Sequence, residues 1–140
     1  MKPPASVRTT NQPHSRHVLD SSALMAALLV EPGGDVVADV LSNAVMSAVN
    51  TAEVVSKLVD RGMPLSKAVK AVHIFRLHIE PLDTRQAIAI AALRAPTVKF
   101  GLSLGDRACL ALAQHLNLPV MTTDKIWANL DIGVEIKVVR

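Results

Sequence analysis

The stretch GDRACLALAQHLNLPVMTTDKIWANL (residues 105–130) decides the fold, because it joins a helix, a short strand and a second helix. GDRACLALAQHL has the apolar pattern of a helix, and PVMTT has that of a buried strand. Asp124 follows this strand directly. Aspartate is depleted in strands and favoured at helix N-caps, so Asp124 can simply cap a helix that begins at Lys125. Carboxylates at equivalent places elsewhere in the chain would indicate a functional site instead.

The rest of the chain repeats this alternation of short strands and helices. Further strands are predicted in HVLD, AVMSAV, HIEPLD and VEIKVV, and Pro81 is expected to confine the third strand to an edge of the sheet or to distort it. Strands separated by helices pair in parallel through right-handed crossovers. The sequence therefore predicts one α/β domain, an open parallel sheet of about five strands with helices on both faces.

Helices are predicted between these strands from apolar residues at helical spacing. The segments are SSALMAALLV, about Asp35 to Ser42, about Thr51 to Arg61 with Gly62 as its C-cap, PLSKAVKAVHIFRL and TRQAIAIAALRA.

Length and composition fit a single compact domain. The chain has 140 residues, and 50% of them are hydrophobic, which is enough for a real core. Residues 1–16, MKPPASVRTTNQPHSR, are polar, contain three prolines and have no apolar period. We expect them to form a disordered tail. The folded domain is predicted to cover residues 17–140.

The charge and the rare residue types limit the functional classes. The 15 Lys and Arg residues against 12 Asp and Glu residues give a net charge of +3, which permits a polyanionic partner without requiring one. Aromatic residues make up only 2%, so nucleic-acid binding would depend on phosphate contacts rather than base stacking. Cys109, the only cysteine, excludes an intrachain disulfide and is predicted to be a small buried hydrophobe. The longest apolar run, ALMAALLV, falls short of the roughly 18 residues of a membrane span, so a cytoplasmic protein without a membrane partner is expected.

Four acids stand near strand ends in the predicted topology. Asp20 ends the first strand, Asp124 follows the fourth, and Glu53 lies early in the helix after the second. Asp106 opens the helix that leads into the fourth strand, and it joins the others only if KFGLSLGD crosses back over the same edge. Because ligands of such sheets bind at the carboxyl ends of the strands, these acids are candidates for a common site.

Two interpretations of these acids remain open. Converging carboxylates repel one another, and some stay protonated unless a cation lies among them. Oxygen ligands suit Mg²⁺ or Mn²⁺, which can activate a water and offset charge on a phosphate. Alternatively, Asp20 and Asp106 are N-caps, and Glu53 is a first-turn residue favoured by the helix dipole.

Four segments together resemble a PIN-domain ribonuclease of the VapC toxin type: VLDSSALMAALLVEPG, AEVVSKL, LSLGDRACLALAQHLNLPVMTTDKIWANL and IKVV. The resemblance covers about residues 17–140, with the motifs in the family's order. It implies metal-binding and catalytic roles for four acids, Asp20, Glu53, Asp106 and Asp124. It also implies supporting roles for the hydroxyl residue after the first acid, Ser21 or Ser22, and for Thr122.

The resemblance further implies Mg²⁺- or Mn²⁺-dependent hydrolysis of an RNA phosphodiester, which leaves a 5′-phosphate and a 3′-hydroxyl. It implies a homodimer and a cognate VapB-type antitoxin whose tail occupies the acidic cleft. The chain departs from the family's commonest pattern at Trp127, where Phe is frequent, and at Pro81 in the third strand. Neither departure changes an acid. Trp127 is expected to be a packing residue on the last short helix.

Arg107 and Lys125 each follow a candidate acid directly and are candidates for contacts with substrate phosphates. Consecutive helical residues point in different directions, so a solvated charged face is the alternative for both.

Other functions remain compatible with the acids. A phosphoacceptor receiver domain shares the sheet type, but it needs two adjacent acids after the first strand and a Lys after the fifth. Here VLDSS offers one acid, and the fifth strand comes last. A PIN-like binding module without turnover and a DNA-cleaving enzyme are the further alternatives.

Overall fold

The computed structural model describes residues 16–140, so the predicted tail lies outside the described residues except for Arg16. Five strands form one sheet: β1 His17–Leu19, β2 Ala44–Ser47, β3 His78–Glu80, β4 Val120–Thr122 and β5 Ile136–Val138. All neighbouring strands are parallel, in the order β3-β2-β1-β4-β5. The predicted open five-stranded α/β sheet is confirmed.

Seven α-helices connect the strands of the described part: α1 Ser21–Leu28, α2 Gly34–Ala38, α3 Ala48–Asp60, α4 Leu65–His73, α5 Thr84–Ala92, α6 Arg94–Thr97 and α7 Leu104–Leu116. Short 3₁₀ helices cover Leu41–Asn43, Val98–Phe100 and Lys125–Asn129. No helix among residues 16–140 is long and apolar enough to cross a membrane.

Several predicted boundaries are wrong, and the helix expected over PLSKAVKAVHIFRL ends at His73. The helix expected over Asp35 to Ser42 ends at Ala38, because the amides of Val40 and Asn43 bond to carbonyls three residues earlier. The helix expected from Thr51 begins at Ala48, because the Ser47 hydroxyl caps it by accepting from the Val49 amide (3.1 Å). The predicted strand AVMSAV is correspondingly shortened to β2.

The core lies on both faces of the sheet. Successive residues of β1, Val18 and Leu19, belong to two different apolar clusters, as side chains that alternate across a strand must. One cluster packs against α1, α3 and α4, and the other against α5 and α7. Trp127 and Cys109 are fully buried in the second cluster, which confirms both as packing residues.

The order of the strands fixes where a ligand can bind. The chain runs outward from β1 through β2 to β3 and then returns to the other side of β1 with β4 and β5. The carboxyl ends of β1 and β4 therefore flank the point where the strand order reverses, which is the usual ligand crevice of such sheets. The strand β3 lies at an edge and ends just before Pro81, as predicted for a strand limited by proline.

Candidate active site at the carboxyl edge

Asp20 and Asp124 occupy the two ends of the crevice between β1 and β4. Asp20 caps α1 by accepting from the Ala23 amide at Oδ1 (2.9 Å). Asp124 caps the 3₁₀ helix Lys125–Asn129 by accepting from the Ile126 amide at Oδ1 (3.0 Å). The capping roles predicted for both residues are confirmed. Capping occupies one oxygen of each carboxylate, so it does not exclude a second role for the other.

Thr122 links the two aspartates. Its buried hydroxyl donates to Asp20 Oδ2 (2.8 Å) and accepts from the Asp124 amide (3.0 Å). Ser22 makes a similar link, because its hydroxyl donates to Asp20 Oδ1 (2.7 Å) and accepts from the Thr123 amide (3.1 Å). The ends of β1 and β4 are thus joined by two side-chain bridges that also orient the Asp20 carboxylate.

Asp106 reaches the same edge as the third residue of α7. The N-cap is Ser103, so the prediction that Asp106 itself is the cap is wrong. Asp106 Oδ2 accepts from the Ser103 amide (2.8 Å), and the Ser103 hydroxyl accepts from the Asp106 amide (3.1 Å), which forms a capping box. The segment KFGLSLGD does cross to the carboxyl edge, because Asn50 of α3 donates to the Gly105 carbonyl (2.9 Å).

Glu53 lies in the second turn of α3, because this helix begins at Ala48; the first-turn interpretation is wrong. Its Oε1 accepts from the Ser21 hydroxyl and from Asn50 Nδ2, the latter at 2.9 Å. A Cβ at Gly105 would come within 2.1 Å of Glu53 Oε2, so a side chain there would displace the Glu53 carboxylate. Both hydroxyls after the first acid therefore contact a carboxylate, Ser21 that of Glu53 and Ser22 that of Asp20.

Asn50 is a site residue that sequence reasoning missed. It is fully buried, and its Nδ2 joins Glu53 on its own helix to the backbone of α7. Its Oδ1 is buried and has no partner among the described residues. The signal available in the sequence is the spacing of three between Asn50 and Glu53, which places both on one helix face next to apolar Val54.

The carboxyl edge of the sheet carries negative charge that no cation of residues 16–140 pairs with. Burial raises the pKa of Asp20 from its ordinary value of 3.8 to about 6, against the lowering effect of hydrogen bonds from Ser22, Ala23 and Thr122. Burial also raises the pKa of Asp106, and the charges of Glu53 and Asp124 add to this, while hydrogen bonds from Ser103 lower it. Within residues 16–140 the ion pairs are Arg140–Glu31 and His78–Glu80, so no cation pairs with the four acids.

These residues suit a divalent cation in donor type and charge. The donors are carboxylate oxygens, which Mg²⁺ and Mn²⁺ prefer. In the part of the chain that the structure describes, however, no group of three or more Asp, Glu, His or Cys side chains is arranged to hold an ion. The reason is visible in the hydrogen bonds, because Glu53 is directed at Asn50 and Ser21, and Asp106 is directed at the amide of Ser103. Both side chains would have to rotate toward Asp20 to bind one metal ion together with it.

The two basic candidates are placed differently. Arg107 is only 9% exposed, and its Nη1 donates to the Ile90 carbonyl of α5 (3.0 Å). A helical residue directly after Asp106 points about 100° away from it, which directs Arg107 into the interface of α5 and α7. Both expectations for Arg107 are therefore wrong, because its side chain is neither free to contact a substrate phosphate nor part of a solvated face. Lys125 is exposed beside Asp124.

A cavity of about 520 Å³ opens beside Glu53, between α3 and the start of α7. Its walls are mainly apolar, with Val49, Ala52 and Leu104 around the carboxylate. The Glu53 side chain thus lines a cavity that opens to solvent.

A family model described as "PIN domain" matches residues 17–133. The chain belongs to the PIN domain family. No curated protein sequence matches this PIN domain significantly. One acid follows β1, and the family match gives no support to the receiver-domain alternative.

Chains in several VapBC crystal structures share the fold of this PIN domain. VapBC2 from Rickettsia felis, bound to a promoter DNA fragment, gives a TM-score of 0.68 at 15% identity, covering 87% of this chain and 97% of that one. DNA-bound VapBC from Salmonella typhimurium gives 0.67 at 18% identity, covering 87% and 96%. VapBC-5 from Mycobacterium tuberculosis, a member of the VapBC family of toxin–antitoxin systems, gives 0.61 at 22% identity, covering 90% and 98%. The predicted resemblance to a PIN domain is confirmed, and the fold is the one found in VapBC structures.

We expect Asn50→Ala to lower the free energy of unfolding by about 1–3 kcal/mol, because the Gly105 carbonyl and Glu53 lose a buried donor. Urea denaturation measures the loss. Asn129→Ala, which changes an exposed asparagine, is the matched control and should stay within about 0.5 kcal/mol of the unsubstituted protein. Equal stability of the two variants would show that Asn50 does not hold α3 to α7.

We expect the metal-free protein to lose stability as the pH rises from about 4 to about 6. The unfolded chain releases the Asp20 proton near pH 3.8, whereas the native state keeps it up to about pH 6. The native state therefore binds more protons in this window, and stability falls with a total of about 3 kcal/mol from Asp20. Urea midpoints across this range measure the effect, which Asp20→Asn should reduce. Parallel pH profiles of the two proteins would contradict the burial of an ionisable Asp20.

Proposed function

We propose that this PIN domain is a Mg²⁺- or Mn²⁺-dependent endoribonuclease that acts in the cytoplasm as the toxin of a toxin–antitoxin pair. The observation that carries the proposal is the linkage of Asp20 and Asp124 through Thr122 at the point where the strand order reverses. Asp106 lies within electrostatic reach of both aspartates, and Glu53 lies within reach of Asp106. No cation of the described chain compensates the four charges.

In the proposed site, Asp20, Asp106 and Asp124 would hold the metal, and Glu53 would bind it directly or through a water. A divalent cation supplies activation of the attacking water and stabilisation of charge on the phosphate. Thr122 and Ser22 fix the orientation of Asp20, and Asn50 holds Glu53 in the position from which it would rotate toward the metal. Glu53 orients the water that attacks phosphorus. The oxygen of this water would bond to phosphorus as the water gives up a proton, and the bond between phosphorus and the 3′-oxygen would break. The 3′-oxygen would take up a proton, which leaves a 3′-hydroxyl and a 5′-phosphate.

The proposed partners follow from the same similarity. The structures of like fold described above are VapBC complexes, which supports a VapB-type antitoxin as the partner of this chain. We propose that its tail enters the acidic cleft, where a cationic side chain would compensate the charge that residues 16–140 leave unpaired. A homodimer is the proposed assembly.

A second candidate function is a PIN-like binding module without turnover. It is favoured by the lack of a preformed three-ligand group among residues 16–140. Such a module would bind RNA or its partner through the same edge but would not cleave, with or without a divalent cation. Metal-dependent RNA cleavage by the purified protein separates the two functions.

We expect Asp20→Asn and Asp124→Asn each to lower RNA cleavage roughly 10²-fold or more, because each replaces a negatively charged metal ligand with a neutral one. Cleavage is measured on single-stranded RNA with Mg²⁺ or Mn²⁺, and chelation by EDTA should abolish it. Circular dichroism should show an intact fold in both variants.

Asp131→Asn is the matched control, since Asp131 is an exposed aspartate that lines neither cavity of the site. It should cleave like the unsubstituted protein. Unchanged cleavage by Asp20→Asn and Asp124→Asn would refute the nuclease assignment. No cleavage by the unsubstituted protein under any metal condition would favour the binding module.

A further inference from the structure

A second cavity, of about 220 Å³, adjoins the acidic edge on the side of α1 and β4. Ser22 and Thr123 form the wall nearest Asp20, and Lys57 and Arg61 form the wall contributed by α3 and its C-cap. Since the Ser22 hydroxyl is bonded to Asp20 Oδ1 (2.7 Å), this cavity lies directly beside the proposed catalytic carboxylate.

The cavity carries a net positive charge. Lys57, Arg61 and Arg140 contribute three cations, and Glu31 contributes one carboxylate, which leaves two positive charges. Arg140 is already engaged, because its Nη2 pairs with Glu31 (3.1 Å) and its Nε donates to the Pro32 carbonyl (3.1 Å). Neither Lys57 nor Arg61 has a side-chain ion pair or hydrogen bond with any residue in the described range 16–140, and both are exposed. The two free cations are therefore available to an anion from solution.

The two cations also continue the line of the proposed catalytic residues. Glu53, Lys57 and Arg61 follow one another at intervals of four, which places them along one face of α3. Each interval covers about 6 Å of helix axis, comparable with the length of one nucleotide in a strand. Lys57 lines both cavities, so the cavity beside Glu53 and the basic cavity form neighbouring parts of one surface.

We propose that the basic cavity binds a backbone phosphate of single-stranded RNA next to the scissile one, with Lys57 and Arg61 as the phosphate ligands. This inference rests on the proposed ribonuclease function and assigns to these residues the role that sequence reasoning gave to Arg107. A polyanion that crosses the acidic edge meets repulsion there, and cations beside the edge offset it. With few aromatic residues in the chain, phosphate contacts carry most of the affinity.

The test compares two double variants of the full chain. The first carries Lys57→Gln and Arg61→Gln, and the control carries Lys70→Gln and Arg94→Gln. The control removes the same charge, and Lys70, like Lys57, lies in the last turn of its helix, while neither control residue lines either cavity. Binding of a mixed-sequence single-stranded RNA oligonucleotide is measured in EDTA over a range of salt concentrations. Cleavage rates with Mn²⁺ then give kcat and KM for each protein.

Two lost phosphate contacts should lower the slope of log affinity against log salt by about 1.4 in the Lys57/Arg61 variant. Equivalently, the unsubstituted protein should lose about sevenfold more affinity than this variant over a fourfold rise in salt. KM should rise with kcat unchanged, and the control should keep both the slope and KM.

Equal salt slopes in the two double variants would overturn the proposal. So would a variant that binds RNA normally but fails to bind an acidic partner protein, since the cavity would then serve that partner. If the unsubstituted protein binds RNA but never cleaves it, the ribonuclease function fails, and the salt slopes still decide whether Lys57 and Arg61 hold the phosphate.

Discussion

The rest of this structure depends on one constraint, which is negative charge at one edge of a parallel sheet that no cation of residues 16–140 pairs with. The strand order brings the ends of β1 and β4 together, so Asp20 and Asp124 lie at neighbouring strand ends. Asp20 is 4% exposed, and burial raises its pKa to about 6. A fold selected only for stability would replace a buried carboxylate of this kind by a neutral cap such as Ser or Asn. The free-energy cost of burying the Asp20 carboxylate is explained if the carboxylates bind a cation.

The same hydrogen bonds that stabilise the fold also prepare the site. Asp20 caps α1, Asp106 closes the capping box of α7, and Asp124 caps the last 3₁₀ helix, so each carboxylate is anchored at a helix start. Thr122, Ser22 and Asn50 connect these anchors across strands and helices. Because the backbone positions are fixed in this way, binding a cation requires only side-chain rotation. The proposed catalytic edge is therefore built into the secondary structure rather than placed on a loop.

The sequence predicts the sheet well because its signal is local. Each short apolar run is bounded by polar residues or proline, and the acids directly after HVL and VMTT mark strand ends without any knowledge of packing. The start of α3 could not be predicted, because Ser47 can equally extend a strand, and only its hydroxyl bond to Val49 decides for a cap. Asn50, buried Arg107 and the cavity lined by Lys57 and Arg61 depend on contacts between distant helices. Spacing within one helix is visible in the sequence, but it does not show which distant helix a residue contacts.

The most direct test of the central claim is to locate Mn²⁺ in crystals of the protein by anomalous scattering at the manganese edge. The account predicts a peak at the carboxyl ends of β1 and β4, within about 2.5 Å of oxygens from Asp20 and at least one of Asp106 and Asp124. Mn²⁺ bound only elsewhere would contradict it. The same holds if no Mn²⁺ binds at these strand ends at a saturating concentration and Glu53 still accepts from Asn50.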